Sequence, residues 1–108
     1  MMDIDGKWCF YREGIEKLRY VIGKLRNFET MTWAEIKAKT GTHSIGVGDI
    51  TPEAWSRLVD IGRDQEDTLF SLRLSGQERV WGIRRDAILH LLWWDPGHEV
   101  CESHLKYT

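Results

Sequence analysis

LFSLRLSGQERVWGIRRDAILHLLWWDPGHEV, residues 69–100, decides the fold of this chain, because it holds three extended runs separated by turn signals. The runs LFSLRLS and RVWGIR alternate apolar with polar residues, and Gly76 lies in the short segment between them. The third run, AILHLLWW, is almost wholly apolar, as in a strand covered on both faces, and the DPG triplet ends it. The pattern predicts a three-stranded antiparallel meander with His98 and Glu99 just beyond its last strand.

Upstream of this stretch the apolar residues recur at helical spacing. After Gly14 the spacing predicts a first helix, whose apolar positions are Ile15, Leu18, Val21, Ile22, Leu25 and Phe28. The remaining positions include four basic residues, Lys17, Arg19, Lys24 and Arg26. They form either a solvated face or a basic surface for RNA or an acidic partner.

Two further helices are marked by their first residues. Thr32 and Glu35 have the spacing of a capping box, which begins a short helix at Trp33. Thr51-Pro52 supplies an N-cap and a proline at the first helical position of a third helix, which we expect to bury Trp55, Leu58 and Val59. The glycine-rich segment GTHSIGVGDI between these two helices is predicted to be a loop.

The order of elements predicts an α+β fold. It comprises an N-terminal strand or arm at KWCFY, two to three helices packed on one face of the C-terminal three-stranded antiparallel meander, and a free face for chemistry. With 108 residues, of which 42% are hydrophobic and 30% are charged, we expect a single domain spanning residues 1–108.

Charge and hydropathy narrow the functional classes. No run reaches the roughly 18 apolar residues of a membrane span, and MMDIDGKW does not resemble a signal peptide, so we expect a cytoplasmic protein without membrane contact. Cys9 and Cys101 are then expected to be reduced thiols. The net charge is −2 and the sequence pI is about 6.1, so nucleic-acid binding would require a local basic patch.

The chain contains six tryptophans, which we expect to fill much of the core. Trp33, Trp55 and one of Trp93 and Trp94 are the predicted core rings. Adjacent strand residues face opposite ways, so Trp93 and Trp94 cannot enter the same core layer. The other ring is a candidate platform for a base, a sugar or a partner protein.

A resemblance to a known family rests on the last strands. The C-terminal part of the chain resembles the end of the RelE/ParE superfamily of bacterial toxins. The resemblance rests on the strands LFSLRLSG, ERVWGIR and ILHLLWW and on His98-Glu99-Val100, which follows them. This resemblance implies helices followed by a curled antiparallel sheet. It also implies that the protein is the toxin of a toxin–antitoxin system and an endoribonuclease that cleaves mRNA. In the RelE-like branch this cleavage takes place on the ribosome, by attack of the 2′-hydroxyl on its own phosphodiester. The implied partners are an antitoxin, the ribosome and mRNA, with no cofactor and an oligomeric state left open.

The resemblance also implies roles for individual residues. Arg73 and Arg79 match the strand arginines of the family and would hold the charge that develops on the phosphorane. His98 matches the histidine that follows the last strand, and His98 or Glu99 would move protons. The expected RNA-binding residues are Arg84, Arg85, Trp94 and Tyr107.

Other interpretations of the same residues stay open. Arg73 and Arg79 would form cross-strand salt bridges with Glu78 or Asp67, and the DPGH segment would be only a turn in which Asp95 bonds the backbone. A mixed metal site from His98, Glu99, Cys101 and His104 matches no standard zinc spacing, so no metal is expected.

Two alternatives to a nuclease come from other classes of protein. A ParE-like protein would act only through contact with a target protein. A helix-turn-helix reader of DNA would use the second and third helices, although a long glycine-containing segment replaces the usual short turn.

Overall fold

The structure is a computed structural model that describes residues 2–40 and 43–101. In chain order it contains α1 (Ile15–Arg26), α2 (Trp33–Thr40), β1 (His43–Gly46), a 3-10 turn (Val47–Asp49), α3 (Pro52–Asp60), β2 (Thr68–Ser75), β3 (Glu78–Arg85) and β4 (Ile88–Asp95). The predicted α+β class is confirmed, and the three long strands follow the helices. No helix in these ranges has the length and apolar character to cross a membrane.

The sheet has four antiparallel strands in the order β1-β2-β3-β4. The meander of β2, β3 and β4 is the predicted one. The prediction of a loop at GTHSIGVGDI is wrong for β1, which pairs with β2 so that Ile45 lies opposite Leu69. Its period-two pattern is too short, and too rich in glycine, to stand out in the sequence.

Both faces of the sheet are covered, which corrects the expectation that the helices pack on one face. On the first face α3 contributes Ala54 and Leu58 to a core that includes Leu69, Trp81 and Trp93. On the second face Val21 of α1 and Ile36 of α2 pack with the core residues Phe10, Leu72, Val80 and Trp94. Because adjacent strand residues point to opposite faces, two sets of large apolar side chains require two layers of cover.

Residues 2–13 form the N-terminal segment, which has turns rather than a strand and lies along β4. The Trp94 amide donates to the Trp8 carbonyl at 2.7 Å, and the Asp3 amide donates to the Leu92 carbonyl at 3.1 Å. Trp8 enters the first core and Phe10 enters the second. The segment therefore covers the outer edge of β4 and joins the two cores.

The helix starts agree with the sequence signals. The Thr32 amide donates to the Glu35 carboxylate at 2.8 Å, and the Glu35 amide donates to the Thr32 hydroxyl at 3.2 Å, so the capping box is confirmed. The Thr51 hydroxyl accepts from the Ala54 amide at 3.3 Å, which confirms the N-cap of α3. The predicted inward face of α3 is partly wrong, because Trp55 is 39% exposed and Val59 is 47% exposed.

A β-bulge in β4 sets where the two neighbouring tryptophans point. Trp81 pairs with Trp93 and Gly82 pairs with Leu91, so Leu92 is the extra residue. Trp93 and Trp94 lie in different cores, as predicted, but both are buried. Neither ring has the exposed face that a stacking platform requires.

Candidate functional site

The predicted strand arginines meet in one row across the sheet. Arg73 of β2 lies opposite Arg79 of β3, and Arg79 lies opposite Asp95 at the end of β4. This row is next to the β2–β3 hairpin turn. Two like charges directly opposite each other destabilise a sheet, so the Arg73/Arg79 pair is an unusual local arrangement.

Arg79 is half-buried, and its guanidinium bonds to backbone oxygens. Its Nη1 donates to the Gly76 carbonyl at 2.7 Å and to the Glu78 carbonyl at 3.2 Å. Burial lowers the pKa of Arg79, the charge of Arg73 lowers it further, and Asp95 acts in the opposite direction. Among the described residues, no carboxylate forms an ion pair with Arg79.

Two carboxylates lie next to Arg79, Glu78 along β3 and Asp95 across from it on β4, and both accept hydrogen bonds from other donors. Glu78 accepts a hydrogen bond from the Tyr20 hydroxyl at 2.6 Å, which raises the pKa of Tyr20. Asp95 is fully buried and accepts from Trp81 Nε1 at 3.2 Å and from the backbone amides of Glu99 and Val100 at 2.8 and 3.0 Å. The proposed salt bridge between Arg79 and Glu78 is therefore not formed.

The bonds of Asp95 shape the turn that carries His98. They fold residues 96–100 back against the end of β4, so the predicted turn is present. The Asp95 carboxylate accepts from amides four and five residues further along the chain, not from the expected one two residues further. His98 has φ 58, a left-handed conformation, and its buried Nδ1 has no hydrogen-bond partner among residues 2–40 and 43–101. Since His98 follows Asp95 by only three residues, it lies at the same end of the sheet as Arg79.

Glu99 points toward the N-terminal segment. Its Oε1 accepts from Trp8 Nε1 at 3.4 Å and lies 3.6 Å from Lys7 Nζ. Lys7 also pairs with Glu53 at the start of α3, at 3.2 Å. These contacts give Glu99 a role in joining the N-terminal segment to the turn after β4.

Arg84 and Arg85 lie at the far end of β3. From Arg79 to Arg85 a strand extends about 20 Å, at roughly 3.4 Å per residue. The Arg84 guanidinium carbon lies 4.6 Å from the Trp33 ring centre and 5.8 Å from that of Phe70. Arg85 pairs with Glu66 at 2.7 Å. The two predicted groups of arginines therefore do not form one continuous site.

Trp94, another of the predicted RNA-binding residues, adds no side chain to this site. Trp94 is 2% exposed, and its Nε1 donates to Glu13 at 2.8 Å. Tyr107 and His104 lie outside the described residues. Within residues 2–40 and 43–101 no group of three or more metal-ligating side chains is assembled.

Sequence reasoning missed the Tyr20–Glu78 bond, which attaches α1 to the β2–β3 hairpin. The two residues are 58 positions apart, and neither belongs to a recognisable motif. The sequence offered no sign of this bond beyond a polar ring among the charged residues of α1.

Comparisons with protein-family models, with curated proteins and with solved structures give no match for this chain. The chemistry of the site therefore rests on the residues themselves. The Arg73/Arg79 pair can hold an anion, and guanidinium groups suit phosphate because they donate two parallel hydrogen bonds. His98 is the histidine at this end of the sheet, and an imidazole ring can both accept and donate a proton.

Proposed function

We propose that the protein is an endoribonuclease, the toxin of a bacterial toxin–antitoxin pair, which cleaves mRNA by attack of a 2′-hydroxyl. The observation that carries the proposal is the half-buried Arg79 directly opposite Arg73. A phosphodiester bound between them would neutralise the repulsion of the two guanidinium groups. Charge-assisted bonds of this kind are stronger than neutral ones, and more so when partly desolvated.

The reaction needs three functions from the protein. A base takes the proton of the 2′-hydroxyl, whose oxygen attacks the adjacent phosphorus, and an acid protonates the leaving 5′-oxygen as the P–O bond breaks. Arg73 and Arg79 stabilise the charge on the phosphorane. We assign proton transfer to His98, because Glu99 already contacts Lys7 and Trp8.

The partners follow from the proposed activity. A toxin requires an antitoxin protein for neutralisation. Because the chain has a net charge of −2, its association with the ribosome and mRNA would rest on local arginines rather than on the overall field.

Expression in a bacterial host tests the function. Wild type should arrest growth and leave RNA fragments that end in 2′,3′-cyclic phosphate and 5′-hydroxyl groups. Arg79→Ala should lower the cleavage rate by roughly 100-fold or more, the usual effect of removing one transition-state donor. His98→Asn should also abolish cleavage while tolerating the left-handed backbone at this position.

Arg85→Ala is the matched control, since Arg85 belongs to the same strand but lies at its other end. This variant should retain growth arrest and cleavage. Folding of each variant is checked by thermal unfolding. A wild type that neither arrests growth nor cleaves RNA overturns the proposal, as does an Arg79→Ala variant that is folded and fully active.

An apolar cleft favours a second candidate, a ParE-like protein that acts through protein contact. The cleft has a volume of about 580 Å³ and lies between the α1–α2 connection and β4, with Phe28, Trp33 and Leu91 among its lining residues. Growth arrest without RNA cleavage would favour this alternative. A DNA-reading helix-turn-helix is not supported, because β1 and a 3-10 turn separate α2 from α3.

A further inference from the structure

A polar cleft lies where the N-terminal segment meets the turn after β4. Its lining consists of Lys7, Trp8, Cys9, Arg12 and Glu13 from the segment and Trp94, Pro96 and Glu99 from the end of β4 and the turn. The volume of about 270 Å³ is slightly below the roughly 300–1,000 Å³ of sites for drug-sized ligands. The cleft therefore suits a small ligand.

Hydrogen bonds between the two sides give the cleft a fixed shape. The Trp94 amide donates to the Trp8 carbonyl at 2.7 Å, and Trp94 Nε1 donates to Glu13 Oε1 at 2.8 Å. Trp8 Nε1 donates to Glu99 Oε1 at 3.4 Å. Because Trp8 belongs to the first core and Trp94 to the second, the cleft lies at the outer edge of β4, where both layers contribute to it.

Two of the four charged residues in the lining neutralise each other. Lys7 Nζ lies 3.6 Å from Glu99 Oε1 and also pairs with Glu53. Arg12 and Glu13 form no ion pair within residues 2–40 and 43–101. One cation and one anion, adjacent in the chain, are thus left at the same cleft.

Arg12 and Glu13 each have hydrogen-bonding capacity for a ligand. Arg12 Nη1 donates to the Lys7 carbonyl at 2.7 Å, which holds the guanidinium beside a residue of the lining. The guanidinium has five N–H donors, of which this bond uses one. Glu13 Oε1 accepts from Trp94 Nε1, and a carboxylate can accept on both oxygens. The cleft can therefore receive a carboxylate and an ammonium group together.

We propose that the cleft binds a free α-amino acid, whose carboxylate pairs with Arg12 and whose ammonium group pairs with Glu13. An α-amino acid carries both charges on one carbon atom, so it matches two oppositely charged residues that follow each other in the chain. The four charges in the lining sum to zero, which favours a ligand without net charge. The inference does not depend on the proposed RNA cleavage, because it uses none of the residues assigned to that reaction.

The other residues of the lining favour an apolar side chain on the ligand. Trp8, Trp94 and Pro96 provide rings, and Cys9 provides a small, weakly polar side chain. Contact with these groups removes apolar surface of the ligand from water. L-leucine is therefore the first probe, and glycine, which lacks this surface, should bind more weakly.

Calorimetric titration of the full chain with three related compounds tests the two charges. L-leucine carries both charges, N-acetyl-L-leucine lacks the ammonium group, and L-leucinamide lacks the carboxylate. At about pH 6.5 the leucinamide amine is protonated, since an α-amino pKa is roughly 8. Losing a hydrogen bond between charged groups should raise Kd roughly tenfold for each modified compound.

Two variants assign each ligand charge to one residue. Arg12→Gln should raise the Kd of L-leucine roughly tenfold but leave that of L-leucinamide unchanged. Glu13→Gln should raise the Kd of L-leucine by a similar factor and leave that of N-acetyl-L-leucine unchanged, while the glutamine oxygen can still accept from Trp94 Nε1. Arg19→Gln and Glu16→Gln are matched controls, because both residues are exposed on α1 and neither lines the cleft.

Thermal unfolding first establishes that each variant is folded. Selective losses in Arg12→Gln and Glu13→Gln, with both controls within twofold of wild type, support the site. Wild type without saturable binding of L-leucine overturns it, as do equal Kd values for the three compounds. Equal losses in the control variants also overturn it, because overall charge rather than the cleft would then govern binding.

Discussion

Asp3 attaches the N-terminal segment to α3 and β4 through its side chain. Its side chain is fully buried and accepts from Arg57 Nε and Nη2, both at 2.8 Å, and from Trp93 Nε1 at 2.9 Å. Asp3→Ala would leave Arg57 without its main partner and Trp93 with an unsatisfied buried donor. Breaking a buried pair in this way should lower the free energy of unfolding by roughly 3–5 kcal/mol, measured by chemical denaturation.

Asp5 supplies the matched control for Asp3. Its carboxylate lies 2.6 Å from the same Arg57 Nη2, but its side chain is 81% exposed. Asp5→Ala should change the free energy of unfolding by no more than about 1 kcal/mol, since exposed ion pairs contribute little. Equal losses in the two variants would contradict the importance of burial at Asp3.

The same carboxylate predicts a dependence of stability on pH. Burial alone would raise the pKa of Asp3, but hydrogen bonds from Arg57 and Trp93 outweigh it and lower the pKa from 3.8 to about 2. A carboxyl whose pKa is lowered by folding stabilises the fold at pH values above the pKa that it has in the unfolded chain. This stabilisation is lost as pH falls from 3.8 toward 2. Urea unfolding between pH 5 and 2 should show this loss in wild type, and Asp3→Asn should reduce the slope.

At the level of elements, Gly82 allows β3 and β4 to pair closely beside the bulge. A Cβ at this position would lie 2.6 Å from the His90 carbonyl oxygen and 2.7 Å from Leu89 Cδ1. Because the first of these atoms belongs to the backbone, the strand would have to shift. Gly82→Ala should therefore destabilise the protein by roughly 1–3 kcal/mol in denaturant unfolding.

A glycine in α1 should respond in the opposite direction. Gly23 lies in the helix, and a Cβ there would meet nothing within 4 Å. Gly23→Ala should stabilise the protein by about 0.5–1 kcal/mol, because alanine loses less backbone entropy in a helix. If Gly82→Ala were as benign as Gly23→Ala, the close approach at the bulge would be refuted.

The elements also show which parts of the fold were predictable. The capping box at Thr32, the N-cap at Thr51 and the three long strands depend on neighbouring residues, and local patterns predicted them. β1 was missed because its four residues, HSIG, pair with a strand distant in sequence. Cover on both faces was missed because it depends on where α3 packs rather than on any local pattern.

Across the whole molecule, the candidate site was predictable only in part. The row that joins Arg73 and Arg79 follows from strand alternation once the hairpin is placed. The bond from Tyr20 to Glu78 depends on how α1 packs against the sheet, and periodicity carries no information about that. Trp94 was misjudged as a platform because cover on the second face was not expected.

The net charge of the whole molecule sets the last prediction. With a net charge of −2 the chain as a whole repels RNA, so binding would depend on the two paired cations Arg73 and Arg79. About two phosphate contacts to a single strand predict a slope near −1.4 for log K against log salt concentration. The slope is measured by titrating a labelled single-stranded RNA at several salt concentrations, with 2′-O-methyl groups at every position so that it cannot be cleaved by 2′-hydroxyl attack.

Single variants divide that slope among the cations. Arg79→Ala should make the slope shallower by about 0.7, the share of one phosphate contact. Arg85→Ala should leave it unchanged, because Arg85 is paired with Glu66 at the far end of β3. A wild-type slope of about −5 or steeper would require more phosphate contacts than this patch has cations. RNA would then have to bind over a larger surface that extends to the exposed Arg84 and Arg85 at the far end of β3.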